Sequence, residues 1–113
     1  MNDVERNRIE RVVAAFIEAR RPPAHLRDKV DLGFRFDGRN LEIFEIRPHW
    51  NKPRQKAEES VAKARYVKTR EEWWVFWQMS DFKWHRYDPK PAVKRVEAFL
   101  RLVDEDEYAC FFG

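Results

Sequence analysis

Between Val30 and Arg47, apolar and polar residues alternate through two runs separated by Asp37-Gly38, and that pattern commits the segment to a β-hairpin. Val30, Leu32, Phe34 and Phe36 alternate with Asp31, Gly33, Arg35 and Asp37, and Leu41-Glu-Ile-Phe-Glu-Ile-Arg47 is the return strand. Because a strand sends successive side chains to opposite faces, Glu45 and Arg47 share a face, roughly 7 Å apart along the backbone. Pro48-His-Trp-Asn-Lys-Pro53 breaks the alternation and reads as a loop.

Helical spacing flanks the hairpin. Asn2 with Glu5 can form a capping box, and Ile9, Val12, Val13, Phe16 and Ile17 then predict a first helix over about Asp3 to Arg20, ended by Pro22-Pro23. Ala57, Val61 and Ala64 form a narrow small-residue stripe, and the spacing predicts a second helix over Arg54 to Arg70 with Lys56, Lys63 and Arg70 in line on another side. Trp73-Trp-Val-Phe-Trp77 and Phe82 to Tyr87 predict a second hairpin, aromatic on both faces. Pro89-Lys-Pro91 offers a helix start, and Val93, Val96, Phe99, Leu100 and Val103 predict a third helix. The apolar tail Tyr108 to Gly113 is expected to dock, as a short strand. The expected fold is thus a single α+β domain over 1–113, in the order α-β-β-α-β-β-α. Three helices would pack an antiparallel or mixed sheet of four to five strands.

Composition narrows the chemistry. With 113 residues, five Trp and nine Phe, the chain can bury a core without staples. A lone Cys110 excludes an internal disulfide and zinc sites built on several thiolates, and its apolar surroundings should raise its pKa. His25, His49 and His85 lack the spacing that places two imidazoles on one helical face, so they read as structural or solvated. No apolar run reaches the roughly 18 residues of a membrane span and no signal peptide is legible, so a cytoplasmic location without membrane association is expected. Ser60 and Ser80 have no positioned base, and no glycine-rich phosphate loop occurs.

Charge is unevenly spread. From Arg47 to Arg70 eight basic residues face two acidic ones, whereas residues 101–113 hold four acidic residues against one Arg. Such a middle segment suits an acidic partner, although a solvated face accounts for most runs of this kind. Lys52, Arg54, Lys56, Lys63 and Arg70 could neutralise phosphates, and Trp50, a large aromatic in a polar loop, Trp74 or Trp84 could stack on unpaired bases. Trp74, Trp77 and Trp84 are read mainly as core. A third reading has the Trp73 to Trp77 strand offer an aromatic face to a second copy, as a homodimer.

One constellation bears on catalysis. Asp31, Glu45 and Arg47, followed by a basic helix, resemble the Asp, Glu-x-Lys core of restriction-endonuclease-like nucleases over about Val30 to Trp77. That resemblance implies Mg²⁺ held by Asp31 and Glu45, with Arg47 or Lys63 in the lysine's place. Arginine stays protonated and cannot act as a base. Hairpin register decides the matter: a two-residue turn leaves Asp31 beside Phe44 and Ile46, away from Glu45, whereas a three-residue loop restores a shared face. The bland alternative for Glu45 and Arg47 is a surface ion pair.

Over nearly the whole chain, Val30-Asp-Leu-Gly-Phe34, Glu42 to Pro48, Ala62 to Lys68 with Trp74 to Trp77, Lys83-Trp-His-Arg-Tyr87 and Phe111-Phe-Gly113 resemble a family of small bacterial proteins catalogued only as a domain of unknown function. The resemblance implies a bacterial protein and supplies no catalytic residues. The sequence therefore favours a non-catalytic binding module with nucleic acid as partner and no cofactor, over the metal-dependent nuclease.

Overall fold

The computed structural model describes residues 1–113. Helix α1 spans Asp3–Arg20, and Asn2 Oδ1 accepts the Glu5 N–H at 2.9 Å, satisfying one of the free donors of the first turn. Ile9, Val13 and Ile17, four residues apart, form its buried stripe. The first hairpin forms as its alternation predicts, with β1 over Asp31–Phe36 and β2 over Asn40–Pro48. Asp37 N–H donates to the Asn40 carbonyl at 3.2 Å, so the turn proper is Gly38-Arg39, and Gly38 takes the positive φ of 93° that it needs.

The segment expected as the second helix is instead β3, Lys56–Val67, the longest strand in the protein. Ala, Glu and Lys favour helices, yet here tertiary pairing overrides propensity. Ala62 and Ala64 are buried while Lys63 and Arg65 point away from the core, a period of 2 that the wider Ala57, Val61, Ala64 spacing had masked. β4 (Glu72–Gln78) and β5 (Trp84–Arg86) make the second hairpin. Pro91 does not open a helix: β6, Ala92–Val93, pairs with β4, and α2 starts only at Val96 and ends at Glu105. The fold is α+β, with six antiparallel strands and two α-helices where three helices were expected.

The strands follow one another across the sheet from β1 to β5, and β6 lies beside β5 on the same edge of β4. One core gathers Leu41, Ile43, Ala62, Ala64, Trp73 and Val75 from the sheet, the α1 stripe, and Val96, Phe99, Leu100 and Val103 from α2. Both helices therefore occupy one face. The tail docks as expected but without strand structure: Phe111 is buried with its ring 4.9 Å from Tyr87, and Asp106 accepts the N–H groups of Phe111 and Phe112 at 3.0 and 2.9 Å. No helix is long and apolar enough to cross a membrane.

Candidate functional site

The sheet face opposite the helices carries a row of side chains that crosses five strands. Arg35 of β1 stands opposite Glu42 of β2, Glu42 opposite Lys63 of β3, Lys63 opposite Phe76 of β4, and Phe76 opposite Arg86 of β5. A neighbouring row holds Asn40, Arg65 and Trp74, and on the other side lie Phe44, Ser60 and Trp84. One bulge makes this alignment possible. Ile43 pairs with Ala62 but Phe44 with Ser60, which leaves Val61 as an extra inward residue and keeps Ser60 and Lys63, three apart, on the same face.

Cations and rings interleave on this face. Arg86 sits 4.1 Å from the Trp74 ring centre, Arg35 4.4 Å from Phe44, Lys63 5.4 and 5.7 Å from Phe76 and Trp84, and Arg65 5.7 Å from Phe76. Contacts of this kind contribute about 0.5–1 kcal/mol each at exposed sites. Arg35 is neutralised, since its Nη2 donates to both carboxylate oxygens of Glu58 at 2.7 Å and its Nη1 to Glu42 at 3.5 Å. Lys63, Arg65 and Arg86 form no ion pair. Arg65 donates to Asn40 Oδ1 at 3.3 Å and Arg86 to the Pro91 carbonyl at 2.8 Å, while Arg86 Nε is buried with no partner. Burial, then the nearby Arg65 charge, presses the Lys63 pKa below its ordinary value. Beside Lys63 opens a cavity of about 360 Å³ lined by Arg35, Asp37, Asn40, Glu42 and Trp84. A face with three cations lacking carboxylate partners, set among half-buried flat rings, can take polyanions and planar groups together.

The residues expected at a nuclease centre are placed otherwise. The register sets Asp31 opposite Ile46 and Glu45 opposite Leu32, the parity of the two-residue turn, so the two carboxylates do not pair across the hairpin. Asp31 is taken by Arg21, which donates to both of its oxygens at 2.9 and 2.8 Å, and by the Leu32 N–H at 2.8 Å. The Arg21 guanidinium holds its carboxyl below the ordinary range. Glu45 accepts from Arg47 at 3.3 Å, the surface pair, and Arg47 also approaches Glu59 at 3.5 Å. Both carboxylates border a cavity of about 160 Å³ with Arg20 and Phe112, but no group of three or more His, Cys, Asp or Glu side chains gathers to hold a metal. Lys63 comes from a strand, and the strand, strand, helix, strand order is absent.

Of the residues expected to meet nucleic acid, only Lys63 lies in the row. Trp50 is 88% exposed in the loop after β2, its ring 5.9 Å from His49, with Lys52 and Arg54 exposed beside it. The loop is ordered by His49 Nδ1, which accepts the Asn51 and Lys52 N–H groups at 3.1 and 3.2 Å. Lys56 Nζ donates to the Asp28 carbonyl at 2.8 Å, and Arg70 lies past the other end of β3 in a short 3₁₀ turn. Lys56 and Lys63 are thus roughly 23 Å apart along the strand, and Arg70 lies beyond its end, instead of the three forming one helical line. Sequence reasoning missed Arg35, Phe44, Arg65, Phe76 and Arg86, and weighed Trp74 and Trp84, which it had offered for stacking, towards the core. The signal was present as Ala62-Lys-Ala-Arg65 beside Trp73-Trp-Val-Phe76: small or buried residues alternate with cations on one strand and with rings on the next.

A family model described as "Domain of unknown function (DUF3024)" matches residues 1–113. No curated protein and no solved structure matches the chain.

Proposed function

The chain belongs to the DUF3024 family, whose description names no activity, and from the geometry of its sheet we propose that it binds single-stranded nucleic acid on the face opposite its helices. The carrying observation is the row Arg35, Glu42, Lys63, Phe76, Arg86 with Trp74, Trp84 and Arg65 beside it. Phosphates would replace ring faces as the partners of Lys63, Arg65 and Arg86, and the rings so released would stack on bases. Stacking contributes about 1–3 kcal/mol per base and requires bases that are not already paired, which favours single strands over duplex. Trp50, Lys52 and Arg54 extend the same chemistry at one end of the sheet. Ser60, expected to have no base beside it, donates its hydroxyl to Glu42 Oε1 at 2.9 Å on this face; the cations and rings that surround this one pair support the reading of a binder.

The reading is tested by titrating fluorescently labelled single-stranded DNA and RNA with the protein and reading anisotropy together with tryptophan quenching at several salt concentrations. Neutralising three phosphates predicts a log–log salt slope of about −2.

A further inference from the structure

β1 is an outer strand with one edge bare along its whole length, whereas the other side of the sheet ends in β5 and β6, three and two residues long, and β3 is bare only over the part that precedes its pairing with β4. Antiparallel bonding alternates along a strand. Counting back in twos from the bonded pair Asp37 and Asn40, the residues that bond to β2 are Arg35, Gly33 and Asp31. The backbone groups of Leu32, Phe34 and Phe36 therefore point away from the sheet. Leu32 N–H is met by Asp31 Oδ1 at 2.8 Å, while the outward groups of Phe34 and Phe36 have no partner in the protein. Natural edges are guarded by Pro, charged side chains or a bulge; β1 has no Pro, Lys or bulge, and its charges, Asp31 and Arg35, are held by Arg21 and by Glu58. Alongside runs a cleft of about 790 Å³ between α1 and β1, walled by Val4, Glu10, Arg11, Ala14, Phe34 and Phe36. Val4 is 76% exposed there.

We infer that β1 pairs antiparallel with β1 of a second copy of this chain, on a two-fold axis through Phe34. The edge is complementary to itself in that register. Phe34 exchanges both backbone bonds with Phe34 of the other copy, and each Phe36 N–H donates to the other copy's Leu32 carbonyl, which leaves the Leu32 N–H with Asp31. On the open face Arg35 then meets Gly33 of the other copy. A register centred on Arg35 would oppose two guanidiniums, which is destabilising. The cleft is also self-complementary in charge, because it carries Glu10 beside Arg11, which forms no ion pair, and an antiparallel α1 presents the same two in reversed order. Joining two edges in this way merges two open faces into one surface.

Sedimentation of the full chain across a wide concentration range, with hydrogen exchange of individual amides, tests the inference. The expected result is a mass rising from 13.8 kDa towards twice that value, with the Phe34 and Phe36 amides protected only in the dimer. Val4→Lys and, separately, Arg11→Glu should return the chain to monomer, with the melting temperature that the parent shows when dilute enough to be monomeric. A monomer at every concentration, a dimer whose Phe34 and Phe36 amides exchange as fast as in the monomer, or dimers undiminished in both variants would overturn it.

Discussion

Lys63 of β3 stands directly opposite Phe76 of β4, with its ammonium 5.4 Å from the ring centre and no carboxylate partner. Burial and the Arg65 charge both disfavour the protonated amine, so its pKa lies below that of an exposed lysine. A bound phosphate would reverse that preference. Binding should therefore weaken as pH climbs towards the lysine range, starting at lower pH than an exposed lysine would give. Lys63→Arg, whose guanidinium stays charged, should push the loss to higher pH. Anisotropy titrations across neutral and alkaline buffers read the shift directly.

Gly33 gives Phe44 the space to lie across the hairpin. A Cβ at Gly33 would stand 2.9 Å from Phe44 Cε2, while the Phe44 ring in turn supports Arg35. Gly33→Ala should destabilise the fold by about 1–3 kcal/mol through overpacking, measured by urea unfolding. The companion Phe44→Leu should recover part of that loss.

Acid sensitivity should centre on the Arg21 and Asp31 pair, which ties the end of α1 to the start of β1. Asp31 has its folded pKa depressed, so its contribution is fully present above the unfolded value of a carboxylate and fades as pH falls through the folded one. Asp37, Glu72 and Asp81 act in the same direction. Stability should hold from neutral pH down to about 4 and decline below it. Asp31→Asn should lower the neutral plateau and flatten part of the decline in thermal melts recorded against pH.

Asp106, with φ at 42°, turns the chain back and accepts the two N–H groups that seat the tail. Its replacement by Ala should cost about 1.5–3 kcal/mol, the range for bonds to a charged group. Cys110 provides a second readout. Its thiol pKa is raised by burial and by Asp106, so thiol-specific labelling should accelerate in Asp106→Ala.

Local chemistry made much of this architecture legible. The Asn2 cap, the helical stripe of α1 and both hairpins follow from short-range rules, and the first turn falls one residue later than Asp37-Gly38, at Gly38-Arg39. β3 was not legible, because Ala, Glu and Lys carry helical propensity and only pairing with β2 and β4 imposes the strand. The open face was lost with it. Lys63 and Arg65 join Trp74 and Phe76 only once β3 is a strand, and Arg35 and Arg86 join them only through registers spanning the whole sheet. Pro91 misled for a related reason: its carbonyl serves Val75 N–H at 2.9 Å, a bond no local rule anticipates.

The most direct measurement is the affinity of the protein for a single-stranded oligonucleotide at low salt, compared between the parent chain and a Lys63→Glu, Arg65→Glu double variant. Both positions point away from the core, so circular dichroism should confirm an unchanged fold. Binding in the parent, with a loss of at least about tenfold in the folded double variant, is the predicted result. No binding by the parent, or equal binding by both proteins, would contradict the account.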